Sequence, residues 1–260
     1  MAQKQNLKER IARREPLLGM LNFSGSEKLI ELVGITGFDY IIIDTEHTTT
    51  SWEACERMVI MARAVGLPAL IRVGIIDEHS ILRALDCGAD GIVVPHVSTA
   101  ETAERAVQFA KYPPRGNRGM CPGIRPTGYG GMPWQEHAAA ANRDTVVICL
   151  IEDVTGLENI EAICKVADID AIWCGTGDLS QSMGIPHSGL DHPRMAAAMT
   201  RIRDVCKANG RSFMATAGSS PNPDYVRRLW DFGANIVSMA PDMMLIRNHF
   251  ASIVAGLRNS

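Results

Sequence analysis

The chain has 260 residues, 46% of them hydrophobic and 21% charged, with a formal net charge of −3. This composition is globular and supplies a large core. The mild acidity argues against nucleic acid or an anionic membrane surface as partner, since both call for a basic stripe. No apolar run is long enough to cross a bilayer, and the charged, helical-looking start MAQKQNLKERIARREP has no secretory apolar stretch. Seven cysteines, odd in number and without paired metal spacing, read as small buried hydrophobes in a reducing cytoplasm.

In chain order, apolar runs predict strands at 17–23, 39–46, 68–73, 91–97, 145–152, 171–175, 212–217 and 235–240. They lack period-two alternation, as strands covered on both faces do. Segments of helical period lie between and after them, at 25–34, 51–65, 78–87, 99–111, 156–166, 192–209, 223–232 and 242–256. Eight such units predict a closed (β/α)8 TIM barrel rather than a doubly wound open sheet. With no linker or composition shift, residues 1–260 read as one domain. Gly37-Phe38, Gly88-Ala89 and Gly233-Ala234 suit helix C-caps feeding short connections. The run YPPRGNRGMCPGIRPTGYGGMPWQEH, from Tyr112, is longer than a connection requires. It reads as a loop that meets a neighbouring subunit or covers the site, or else as a surface excursion.

In such a barrel the active site lies at the C-terminal strand ends. The polar residues expected there are Asp44, Glu46, His47, Arg72, His96, Glu152, Asp153 and Asp178. A charge where a buried strand leaves the core is costly without a partner. Glu152 and Asp178, on successive strands and without thiolates, suit a hard divalent ion such as Mg²⁺ or Mn²⁺. Such an ion accepts a bidentate oxygen ligand, and an α-keto acid is one. Arg72 then suits the acid group or an enolate oxygen, and His47 has the intrinsic pKa of a general base near neutrality. Taken singly, Glu152 and Asp178 read more readily as caps or ion-pair members, with Asp178 capping a helix from Leu179, and only their occurrence on successive strands favours the metal. His96 reads as a satisfied core histidine. Gly175-Thr176-Gly177 reads either as an anion cradle or as a tight turn. No nucleotide-binding signature is present, and no strand carries a Schiff-base lysine.

The segments FDYIIIDTEH, IRV, CGADGIVVPHV, KYPPRGNRG, LIED, GTGDLSQSMG and GANIVSMAPD, in collinear order, together resemble the HpcH/HpaI aldolase family. These are metal-dependent class II pyruvate aldolases. The resemblance implies that Glu152 and Asp178 bind the metal (Mg²⁺ or Mn²⁺, with Co²⁺ a third candidate). It implies that His47 is the acid/base residue, oriented by Asp86 across a subunit boundary. It implies that Arg72 contacts the pyruvate or enolate oxygen, and that the Gly175–Asp178 turn binds the pyruvate carboxylate through its backbone. It further implies a last helix swapped between subunits, in dimers that assemble into a hexamer as a trimer of dimers.

Three positions depart from the family pattern: Leu150 in C-L-I-E where many read V-Q-I-E, His96 where they read V-P-M-V, and Gly175-Thr176-Gly177-Asp178 where they read G-P-A-D. With Leu150 beside the donor pocket, donors larger than pyruvate are expected to be accepted. The expected activity is reversible cleavage of a 4-hydroxy-2-oxo acid to pyruvate and an aldehyde through a metal-stabilised enolate. The rivals are a Claisen-type lyase or synthase taking oxaloacetate or a CoA thioester, with Arg115, Arg118 and Arg125 as its phosphate surface, and a ligand-binding barrel without catalysis.

Overall fold

A computed structural model describes residues 6–218 and 222–258. Eight parallel strands close into a barrel in sequence order. They are β1 (Leu17–Asn22), β2 (Tyr40–Asp44), β3 (Ala69–Arg72), β4 (Gly91–Val94), β5 (Val146–Ile151), β6 (Ala171–Cys174), β7 (Ser212–Thr216) and β8 (Ile236–Met239). The seam pairs Leu17 with Ile236 and Met20 with Met239. Helix α1 (Leu7–Ala12) precedes β1. Outside the barrel follow α2 (Glu27–Ile35), α3 (Trp52–Ala64), α4 (Glu78–Asp86), α5 (Ala100–Ala110) and α6 (Trp134–Asp144). Then come α7 (Val154–Glu158), α8 (Ile160–Lys165), α9 (Thr176–Ser182), α10 (Pro193–Ala208), α11 (Pro223–Phe232) and, after β8, α12 (Asp242–Arg258).

The expected (β/α)8 barrel is present, with strand limits at the edges of the apolar runs or up to three residues inside them. One helix was not expected, and another starts early. The run Ala138–Ala141 favours α6, which occupies the end of the long 112–144 connection. The helix considered from Leu179 is α9, which starts at Thr176, directly after β6. The single helix expected over 156–166 is instead two, α7 and α8, divided at Asn159.

All strand residues except Leu18, Met20 and Thr216 are buried, and the strand side chains divide between two cores. Tyr40, Ile42, Leu70, Ile148, Leu150 and Trp173 are among those filling the barrel. Ile41, Ile43, Ile71 and Val147 meet the surrounding helices. Each fully buried chain of this size contributes about 1.5–3 kcal/mol. Tyr40 crosses the interior and donates its hydroxyl to Val237 O at 3.0 Å. Its ring occupies the space over Gly19, where a Cβ would lie 2.2 Å from Cζ. The same alternation carries polar groups inward at the strand ends: Asp44 follows Tyr40 and Ile42, Arg72 follows Leu70, and Glu152 follows Ile148 and Leu150. Register pairs Asp44 with Arg72 directly.

The opposite, N-terminal end is plugged by α1. Leu7 and Ile11 join the interior cluster, and Ser212 Oγ donates to Ile11 O at 3.0 Å. The 112–144 excursion packs on this same end. Lys111 Nζ donates to Asn142 O at 3.1 Å and to Thr145 O at 2.8 Å, and Arg118 Nη2 meets Asp86 Oδ1 at 2.6 Å. A connection from a helix to the next strand lies at the strand N-termini, so this segment does not cover its own chain's site, contrary to one of the expectations above. At the other extreme, α12 is tethered at its start. Asp242 is buried and accepts from Asn22 Nδ2 (2.8 Å) and Ser24 Oγ (2.7 Å). Beyond it, Phe250, Ile253, Val254 and Leu257 are exposed.

Candidate active site

At the C-terminal mouth a cleft of about 620 Å³ opens, lined by His47, Arg72, Leu150, Glu152, Gly175 and Asp178 among others. Asp44 is fully buried at the end of β2. Its Oδ1 accepts from Arg72 Nε and its Oδ2 from His47 N at 2.8 Å. One carboxylate thus fixes both the guanidinium and the start of the His47 loop. Arg72 Nη1 lies 3.0 Å from Glu46 Oε2. The side chain is 7% exposed, and its remaining donors are left for the cleft.

The His47 side chain is 54% exposed, with Nε2 3.6 Å from Glu46 Oε2. Glu46 is buried among Arg72, His96 and His47. Glu152, buried at the end of β5, accepts from His96 N at 2.9 Å. Burial pushes the Glu152 carboxyl above its usual range, and the neighbouring charges of Glu46 and Asp178 push the same way, against the pull of His96. Three carboxylates therefore converge on one mouth. The backbone makes room for them: a Cβ on Gly175 would lie 2.8 Å from Glu152 Cγ and 3.1 Å from Leu150 Cδ1. Burial, mutual repulsion and oxygen donors fit a divalent cation.

Several expectations need correction. His96 is not a core histidine: its side chain is 64% exposed, with Nδ1 3.1 Å from Glu152 Oε2 and Nε2 3.2 Å from Glu46 Oε1. The apolar run through Val97 concealed this, because the strand ends at Val94, before Pro95. Asp153 takes no part in the cleft constellation; it caps α7, accepting from Gly156 N at 2.6 Å. Gly175-Thr176-Gly177 is not a tight turn before a helix at Leu179. Gly175 is the N-cap of α9, and Asp178 lies in its first turn. Asp178 is exposed in the cleft and stands outside the tightest donor group, Glu46, His96 and Glu152.

Asp86, at the C-terminal end of α4, faces the plugged end of its own barrel and pairs with Arg118, remote from its own chain's His47. Nor do Arg115, Arg118 and Arg125 form a phosphate surface at the cleft. Arg115 pairs with Asp168, Arg118 is buried, and all three belong to the excursion at the far end. Sequence reasoning missed the far wall, where Trp173 Nε1 donates to Thr216 Oγ1 at 3.0 Å and His187, Ser188 and Tyr225 complete the lining. The alternation of β6 and β7 carried a signal for Trp173 and Thr216; the loop residues offered none.

A parallel barrel with buried carboxylates, an arginine and a histidine gathered at its C-terminal mouth is the form of a (β/α)8 enzyme. The sequence model of the HpcH/HpaI aldolase/citrate lyase family matches residues 18–249. The chain belongs to that family. It is 31% identical over 249 residues to the 2-dehydro-3,6-dideoxy-6-sulfogluconate aldolase of Pseudomonas putida, covering 95% of each chain. It is 30% identical to the hydroxypyruvate/pyruvate aldolase of Roseobacter denitrificans, again over 95% of each. Among solved structures, the citrate synthase SbnG superposes with a TM-score of 0.87 at 29% identity, over 98% of each chain. No helix among the described residues is long and apolar enough to cross a membrane.

Proposed function

We propose that this protein is a divalent-metal-dependent aldolase that reversibly cleaves a 4-hydroxy-2-oxo acid to pyruvate, or a slightly larger 2-oxo acid, and an aldehyde. The observation that carries the reading is the convergence of Glu152, Asp178, Arg72 and His47 on one cleft at the strand C-termini. The named aldolases among the relatives support it over a Claisen enzyme or a non-catalytic barrel. Glu152 and Asp178 would hold the ion, Mg²⁺, Mn²⁺ or Co²⁺, which when bound would supply Lewis-acid polarisation of the substrate carbonyl.

The chain's own residues do the rest. Arg72, locked by Asp44 and Glu46, directs a free N–H at the oxygen that becomes negative as the C3–C4 bond breaks. Its orientation is set before substrate arrives, so no reorganisation is needed during reaction. The exposed His47 ring takes the proton from the C4 hydroxyl, releasing the aldehyde, and returns it to C3 of the resulting enolate. Backbone N–H groups of Thr176 and Gly177, in the first turn of α9, receive the substrate carboxylate, while Gly175 N is held by Ile151 O at 3.0 Å and fixes the turn. Leu150, packed against Gly175 on the cleft floor, offers no hydrogen bond and leaves room for a donor larger than pyruvate. The seven cysteines are all free, which supports a reducing cytoplasm.

Assembly completes the reading. Two features support this: the exposed apolar residues of α12, and an apolar groove of about 370 Å³ lined by Leu18, Phe38, Val226, Trp230, Met239 and, from the start of α12 itself, Leu245. An exchange of α12 between two copies covers both, and a trimer of such dimers brings Asp86 of one subunit toward His47 of another.

Incubation of pyruvate or 2-oxobutyrate with a panel of aldehydes, with and without EDTA, tests the function. Aldol product and exchange of the donor's C3 protons with solvent are expected, abolished by EDTA and restored by Mg²⁺, Mn²⁺ or Co²⁺. Full activity in excess EDTA, with a borohydride-trapped pyruvate adduct, overturns it, as does exchange-free binding.

A further inference from the structure

His96 stands between carboxylates delivered by two different strands. Nε2 lies 3.2 Å from Glu46 Oε1 and Nδ1 3.1 Å from Glu152 Oε2. Packing does not account for its place, since its side chain is 64% exposed. Its backbone sits at φ 52°, a conformation uncommon for a residue with a Cβ and concentrated at functional sites. That conformation turns His96 N onto Glu152 Oε2 at 2.9 Å, so the backbone and the ring both point at the same carboxylate. Among the described residues, Glu46, His96 and Glu152 are the one group of three whose histidine and carboxylate donor atoms all lie within 4.8 Å of one another.

We propose that His96 is a protein ligand of the divalent ion, adding a nitrogen donor to an otherwise carboxylate site and shifting its preference from Mg²⁺ toward Co²⁺ and Zn²⁺. The inference rests on the proposed metal site and says which ions that site selects. Mg²⁺ takes oxygen ligands and dehydrates reluctantly, whereas imidazole suits zinc and the later first-row ions. Glu46 has the place of the supporting carboxylate. When the nitrogen near Glu152 ligates the ion, the other ring nitrogen presents its N–H to Glu46 Oε1, the contact that fixes the tautomer and orientation of metal-bound histidines. Glu46 is itself held by Arg72 at 3.0 Å, so one network joins the ion's ligand to the substrate-facing guanidinium.

The test loads the metal-free full-length protein with Mn²⁺ and records its electron spin echo modulation. Modulation from ¹⁴N of a bound imidazole is expected in the wild type and absent in His96→Ala. Competition of Co²⁺ against Mg²⁺, read by ultrafiltration and elemental analysis, should show His96→Ala losing Co²⁺ affinity about 10–100-fold while Mg²⁺ affinity barely moves. Wild-type protein that binds Mn²⁺ stoichiometrically without nitrogen modulation overturns the inference and leaves the Glu152/Asp178 site standing; His96 is then a counter-charge between two carboxylates. The wild-type spectrum needs no variant, so misfolding of His96→Ala does not blunt the test. Unchanged ion affinity in both Glu152→Gln and Asp178→Asn overturns the metal site itself.

Discussion

At the N-terminal end of the barrel, Lys8 Nζ reaches Asp170 Oδ1 at 2.9 Å and Thr145 O at 3.1 Å, and Arg10 Nη2 reaches Asp39 Oδ1 at 2.7 Å. The buried Lys111 adds two carbonyl acceptors. At the C-terminal end, Glu46 and Glu152 share His96, and the nearby Asp178 carboxylate faces the cleft. Both ends place charge in or near a low-dielectric core, where an unpaired group is costly. The plugged end meets that cost with the chain's own groups. The open end leaves part of it for a ligand to meet, and stored repulsion of that kind is what a bound cation relieves. The difference separates residues kept for stability from residues kept for chemistry.

His47→Ala breaks the comparison most sharply. Turnover is expected to fall about 10²–10⁴-fold, the usual contribution of a positioned acid/base. Metal content and Tm should stay near wild type, because the ring is half exposed. Elemental analysis alongside steady-state kinetics checks this; loss of the ion instead makes His47 a ligand.

Arg72→Leu should cost both ends of the ledger at once. Removing the guanidinium leaves Asp44, fully buried, without its charge partner, and breaking such a pair costs about 3–5 kcal/mol. Urea unfolding should show that loss, and activity should fall even where the protein remains folded. A variant with wild-type stability shows that Asp44 finds another donor.

Lys111 sharpens the contrast at the plugged end. Burial lowers its pKa to about 7, with the nearby charge of Lys8 adding to the shift. The folded pKa lies below the unfolded one, so between them the unfolded chain binds more protons. Stability therefore rises with pH upward from about 7 and is lost as pH falls toward 7. The slope is at most about 1.4 kcal/mol per pH unit. Urea midpoints of wild type and Lys111→Met from pH 7 to 9 should differ by this slope; parallel curves would mean that Lys111 titrates near its unfolded value.

Leu150→Gln is the smallest expected change. A methylene in an apolar pocket is worth about 1–3 kcal/mol. The variant's kcat/KM ratio of 2-oxobutyrate to pyruvate should fall by about tenfold, the lower end of that range. An unchanged ratio in a folded variant makes Leu150 an interior packing residue only.

The strands were legible because burial on both faces leaves continuous apolar runs, and because period-two alternation is rigid enough to carry Asp44, Arg72 and Glu152 inward. What escaped was set by longer-range physics. The left-handed backbone of His96 depends on its bond to Glu152, 56 residues away. The helix α9 starts at Thr176-Gly177, poor helix formers held by the end of β6 rather than by propensity. Asp153 shows the reverse: a carboxylate at a strand end that capping of α7 and a bond from Ser98 Oγ consume.

The plug has a consequence for how the chain folds. Apart from Asp39, the partners of α1 named above lie far along the sequence: Lys8 bonds Thr145 at a separation of 137 residues, and Ser212 bonds Ile11 at 201. Synthesised before every strand of the barrel, this helix seats among the last elements, after β7 has left the ribosome. Until then the half-built sheet keeps its inner face open to solvent, and such high contact order slows folding. Release of a truncated chain ending before Ser212 should therefore yield a species with an accessible inner face, bound by chaperones that the full-length protein escapes once its floor is closed.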